Sequence, residues 1–251
     1  MTGTMRIVTI MFLGATLLAP AAFADRGATV QRLDKVAIQP LDLGADTRQD
    51  CLAGNLNVPV YALTDYIFGD EVYAHSYGWW PGDADCTCPL GMRVEAVHML
   101  VQFGPGDVPV TFDVMATAQT AAGLSMPPPC PWPSGFEYGV SGVHSVTIDT
   151  PGLYDIGLPL QSECAFVGHI YDVTFQFLDL FDPAKRPDLI TDDRSDDWCL
   201  SFIEVVGGPP WEILQFLGAP GNAVIYAEIS CCEMPVANEP ATWGSVKGLY
   251  R

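Results

Sequence analysis

RVEAVHMLVQFGPGDVPVTFDVMAT, residues 93–117, carries the pattern from which the fold is read. In 93–103, Val97, Met99, Val101 and Phe103 fall on one face, with His98 and Gln102 on the other. In 109–117, Val110, Phe112, Val114 and Ala116 repeat the same period of two. That alternation belongs to half-buried strands, not to the 3.6-residue spacing of a helix. GPGD (104–107) separates the runs with turn-forming residues, and the combination predicts a hairpin.

Working outward, similar runs recur at VPVYAL (58–63), EVYAHSY (71–77), HSVTID (144–149), GLYDIGLPL (152–160), HIYDVTFQFL (169–178), CLSFIEVV (199–206) and NAVIYAEIS (222–230). Gly, Pro and Asp separate them, and no internal repeat is present. A mostly antiparallel sheet must bury one face, so residues 51–232 are expected to form an all-β, jelly-roll-like sandwich of two antiparallel sheets. A single sheet or a barrel is the alternative. Residues 25–50 form a polar extension in which KVAIQPL (35–41) reads as an edge strand.

The N-terminus carries Arg6, an apolar run from Ile7 to Leu18, and the small-residue site Ala22-Phe23-Ala24. This is the layout of a secretory signal peptide (1–24) cleaved between Ala24 and Asp25. The run is short for a membrane anchor, so the mature chain is expected outside the cell or on its surface without one. The full chain has 11 basic and 30 acidic residues; losing Arg6 leaves a net charge of 10 − 30 = −20. Such a surface repels phosphate backbones and argues against nucleic-acid binding.

All eight cysteines (Cys51, Cys86, Cys88, Cys130, Cys164, Cys199, Cys231 and Cys232) follow the signal. An even count in an oxidising compartment reads as up to four disulfides, with the pairing open among 105 possibilities. A bond between adjacent cysteines is strained, so Cys231 and Cys232 are expected to bond to two different partners.

Residues 233–241 read as a linker, and TWGSVKGLYR (242–251) closes the chain. Thr242 can cap a helix on which Trp243, Val246 and Tyr250 recur at helical spacing, with Gly244, Lys247 and Arg251 around them. So short a helix is marginal alone. It either docks on its own domain or serves as a sorting tail read by export or attachment machinery. CTCPLGMRVEAVHML, RPDLITDD, WEILQFLGAPGNAVIYAEISCC and this tail together resemble a group of secreted proteins from uncultured bacterial lineages. Those have a signal peptide, one cysteine-rich β-domain ending in Cys-Cys, and a T-W-G-x-[VI]-K-x-L-Y-R tail. The resemblance implies location and module type, and a tail of near-fixed sequence after a variable linker favours the sorting reading; it implies no chemistry.

No nucleophile elbow, H-E-x-x-H, P-loop or dinucleotide fingerprint occurs. His75, His98, His144 and His169 lack metal-ligand spacing, and His144 and Ser145, adjacent on a strand, point to opposite faces. No catalytic residue is named. The densest charged stretch, TDDRSDDW (191–198), holds Asp192, Asp193, Asp196 and Asp197, with Asp188 upstream. It reads as a solvated acidic loop or, because crowded carboxylates call for a counter-ion, as a Ca²⁺ site without the EF-hand pattern. Trp79, Trp80, Trp132 and Trp211 lie between Pro and Gly, where a ring either plugs the end of the sandwich or stacks on a sugar. The sequence thus reads as a non-catalytic structural, adhesive or glycan-binding module for a cell-surface partner. An extracellular polysaccharide hydrolase, or a subunit self-associating through edge strands, is the alternative.

Overall fold

A computed structural model describes residues 29–32, 38–42, 51–77, 86, 88, 91–124, 130–165, 171–194, 199–205, 211–212 and 218–232. These form sixteen strands in two sheets, and among them there is no helix. Sheet A runs β1 (Thr29–Arg32), β4 (Tyr61–Thr64), β13 (Asp188–Thr191), β6 (Met92–Phe103), β10 (Gly152–Pro159) and β2 (Ile38–Asp42). β16 (Ile225–Cys231) also pairs with β6, and β3 (Cys51–Gly54) pairs with β16. Sheet B runs β11 (Gln161–Ser162), β8 (Pro131–Val140), β7 (Val110–Leu124), β12 (Tyr171–Phe177), β5 (Glu71–Tyr77), β14 (Ser201–Val205) and β15 (Trp211–Glu212). β9 (His144–Ile148) pairs with the start of β7.

The architecture is the expected antiparallel sandwich, with one exception: β2, from the KVAIQPL stretch, pairs with β10 in parallel at the edge of sheet A. The hairpin expected at 93–117 does not form. β6 pairs with β10, β13 and β16, whereas β7 pairs with β8, β9 and β12, in the other sheet. The turn is real: Asp107 N–H donates to the Gly104 carbonyl at 3.1 Å. It carries the chain from sheet to sheet, so the two apolar stripes face each other, and Phe103 stacks on Phe112 with centroids 5.8 Å apart. Alternation fixes which face of a strand is apolar; it is silent on which neighbour supplies the hydrogen bonds.

The core lies between these faces. Val97, Met99, Val101 and Phe103 of β6 meet Phe112, Val114 and Ala116 of β7, Val173, Phe175 and Phe177 of β12, and Ile156 and Leu158 of β10, all 1% exposed or less. Phe112, Phe177 and Phe181 form an aromatic cluster with centroids 5.1–5.9 Å apart. Each large side chain buried this fully stabilises by about 1.5–3 kcal/mol, and each aromatic pair adds about 0.5–1.5.

Four disulfides close the body: Cys51–Cys86, Cys88–Cys231, Cys130–Cys199 and Cys164–Cys232. The adjacent Cys231 and Cys232 do bond to different partners, from segments 76 residues apart (164 − 88). Cys86 and Cys88 tie one short segment to β3 and to its neighbour β16.

Candidate functional site

Three connections between the sheets converge at one end of the sandwich: 65–70 from β4 to β5, 104–109 from β6 to β7, and 178–187 from β12 to β13. Their locking is local and specific. Gly69 has φ +90°, and a Cβ there would lie 1.9 Å from the Asp179 carbonyl oxygen, so only glycine permits the approach. Phe181 N–H then donates to the Phe68 carbonyl at 2.9 Å, and Lys185 Nζ to the Pro109 carbonyl at 2.9 Å. Asp65 and Asp70 are left-handed, at φ 59° and 65°.

The converging loops gather charge. Arg186 Nη1 lies 3.4 Å from Asp65 Oδ1, and its guanidinium sits 4.7 Å above the Phe68 ring. Buried Glu71 accepts hydrogen bonds from the Phe68 and Gly69 amides, yet burial pushes its carboxyl up to about 8, with Arg186 pulling the other way. Asp107 accepts from the Gly104 amide. Asp188 begins β13 and is 9% exposed. Burial raises its carboxyl to about 6 against a Thr64 hydrogen bond, and the charges of Asp107 and Asp65 push the same way as burial. Burial and the neighbouring carboxylates thus hold the Asp188 proton more tightly than an ordinary carboxyl does, the direction that a general acid requires.

The acidic stretch of the sequence is therefore split. Asp188 belongs with Asp65 and Asp107. Asp192, fully buried, is saturated: Oδ1 accepts from the Asn222 and Arg194 amides at 2.8 and 3.0 Å, and Oδ2 from Arg194 Nε at 2.7 Å and Asn57 Nδ2 at 3.1 Å. It ties β13 to the 55–57 and 218–222 loops and has no lone pair left for a cation. Asp193 is exposed. Asp196 and Asp197 lie outside the described residues, among which no group of three potential ligands is close enough to hold a metal.

Trp79 and Trp80 also lie outside the described residues, as do the signal-cleavage pair Ala24 and Asp25, the linker and the tail. Trp132 and Trp211 were expected in loops; their backbones run in β8 and β15, because Pro is tolerated at strand starts and sheet edges.

Two polar groups cross the outer faces of the sheets. On sheet A, His98 and Tyr226 are register partners on β6 and β16 and stack at 4.5 Å. His98 Nδ1 lies 3.0 Å from Asp155 Oδ1 on β10; Nε2 lies 3.3 Å from Glu228 Oε1, off the line of a hydrogen bond. Tyr226 donates to Asp155 Oδ2, and burial, with the Asp155 and Glu228 charges, pushes its phenol up and keeps it a donor. Gly157, opposite His98, makes room: a Cβ there would lie 2.5 Å from the ring. On sheet B, fully buried Asp172 accepts from Ser76 Oγ, and burial raises its carboxyl to about 7.

Asp65, Glu71, Asp107 and Arg186 were not singled out in the sequence. TDYIFGD (64–70) and GPGD (104–107) announce turns, but nothing local says that two turns and a residue 81 positions beyond the second (188 − 107) share one end of the sandwich.

Neither the family models nor the curated proteins compared with this sequence match it. Among solved structures, the chain is similar to the cysteine protease and lectin-like domains of Cwp84, a surface layer associated protein of Clostridium difficile. The identity is 12% and the TM-score 0.46, over 72% of this chain. The chain spans 36% of that one.

Proposed function

We propose that this protein works outside the cell as a non-catalytic β-sandwich module that holds a surface component, a glycan by preference, through its loops. The observation that carries the reading is the disulfide frame. All eight cysteines of the chain are paired, through bonds that span 35 to 143 residues, and no free thiol is left. Such a frame persists in an oxidising compartment and suits a rigid body that presents loops. The terminal tail, Thr242–Arg251, is the address in this reading: its deletion leaves folding intact and misplaces the protein.

Incubating the oxidised domain (25–241) with a panel of insoluble and soluble polysaccharides tests it, with retention and release of reducing ends measured together. Retention without release is expected. No retention on any of them removes the glycan. A second reading has its own observation: Asp188 is buried at the start of β13, at the end of the sandwich that also gathers Asp107 and Asp65, and burial raises its carboxyl to about 6, the direction in which the general acid of a glycoside hydrolase is shifted. Reducing ends that appear with the native chain and vanish in Asp188→Asn would put that enzyme in place of the binding module.

A further inference from the structure

β9 leaves one edge of sheet B open. It pairs with the start of β7 and, among the described residues, with no other strand. The register fixes which of its backbone groups are spare. Asp113 of β7 donates its N–H to Asp179 Oδ2 at 2.8 Å, and its carbonyl accepts from the Leu178 amide at 2.9 Å, both on the β12 side of the strand. Phe112 and Val114 therefore turn their backbone groups to Val146 and His144, and the N–H and C=O of Ser145 and Thr147 point away from β7. Both residues are exposed, as are Gly142, Val143 and Asp149 beside them, and Val143 reaches 61%.

The other described edges are defended. β1 ends in Arg32, β2 holds Pro40 and Asp42, and β8 holds Pro131, Pro133 and Glu137. β3 starts at Cys51, which is tied to Cys86, and β11 and β15 are two residues long. Charge, proline, cover and brevity are the means by which strand edges avoid pairing with other chains. β9, HSVTI, has five residues and no acid, lysine, arginine or proline among them.

We propose that β9 is a self-association edge, on which the β9 of a second copy of this chain pairs antiparallel about Val146. In that register Ser145 of each copy lies opposite Thr147 of the other, so the outward groups of the two strands satisfy one another. Asp149, the acid that flanks the strand, falls opposite the exposed Val143 of the other copy and not opposite a second acid. That matters in a chain with 30 acidic and 11 basic residues. Exposed charges more than about 8 Å apart are screened by physiological salt, so repulsion between copies is decided at the seam, which is neutral. Two five-residue strands bury far less than the roughly 1,200 Å² of a stable interface, so the pairing is weak and belongs where copies are concentrated.

Sedimentation of the full oxidised chain, with amide solvent exchange read by NMR on the same samples, tests the proposal. About half of the protein or more should be dimeric at about 1 mM, and nearly all monomeric at about 1 µM. Over that range the Ser145 and Thr147 amides should exchange at least about twofold more slowly, while the Val146 amide, already bonded to β7, changes little. Thr147→Pro removes an outward N–H that β7 does not use, and should abolish the dimer. A monomer at about 1 mM, a dimer that survives Thr147→Pro, or one in which the Ser145 and Thr147 amides exchange unchanged would overturn the proposal. The Val143 variants decide should Thr147→Pro not fold. Val143→Lys would face Asp149 of the other copy and should dimerise at least about threefold more tightly than Val143→Glu; equal affinities would overturn the register.

Discussion

Asp192 and Gly157 show how much a single position carries. Asp192 accepts four hydrogen bonds with no exposure to solvent, two of them from Arg194. Replacing it with Ala strands an arginine, an asparagine side chain and two backbone amides, and should cost about 3–5 kcal/mol of unfolding free energy. Urea denaturation would read that loss, which should be the same with 5 mM Ca²⁺ or chelator at roughly that level; a Ca²⁺-dependent loss would return Asp192 to the ligands. Gly157→Ala forces a methyl into the His98 ring and should cost about 1–3 kcal/mol. In the His98→Ala background the same change should be nearly free, and a double-mutant cycle measures the difference. From sequence, Asp192 was one of five similar aspartates; its neighbours Asn57 and Asn222 are 135 and 30 residues away and gave no local sign.

At the scale of elements, the strands were legible where their apolar face was continuous. EVYAHSY became β5 residue for residue, and 93–103 became β6 within one residue. Less legible were β13, a four-residue strand at the edge of an acidic stretch, and β8, whose prolines hide its pairing. The 104–109 connection was read as a hairpin although it crosses between sheets, because a tight turn serves either use. The last strand makes the clearest element-scale prediction. β16 ends at Cys231, bonded to Cys88, and the next residue, Cys232, is bonded to Cys164. The double variant Cys88→Ser, Cys231→Ser should lose about 2–5 kcal/mol while β16 stays paired to β6. Hydrogen exchange at Tyr226–Glu228 checks this, and exchange there as fast as in the unfolded chain would mean that the bond, not the ladder, holds the strand.

For the whole molecule, pH dependence follows from carboxyls whose burial outweighs the groups that favour their charge. Burial raises Glu71 to about 8, Asp172 to about 7 and Asp188 to about 6, all above their unfolded values. Between the two values the folded state binds more protons than the unfolded chain, so the contribution of these groups to stability is greatest below about pH 4. It is lost as pH rises through 6, 7 and 8. The thermal midpoint should therefore fall from pH 5 to pH 9, and Asp172→Asn should flatten the part between about pH 4 and 7. Superimposable pH profiles for the two proteins would remove Asp172 as a contributor.

Local pattern settled the class of structure: a period of two, broken by Gly and Pro, favours strands over any long helix. It also indicated that adjacent cysteines would part, because a disulfide between neighbours is strained. Tertiary structure alone decided which strands pair, which of 105 disulfide sets forms, and which acids meet. Those are contacts between residues tens to more than a hundred positions apart, and local pattern carries no record of distance through space. Asp188 is the plainest case: its sequence neighbours suggested Asp192, and the crossing of three loops gave it Asp65 and Asp107 instead.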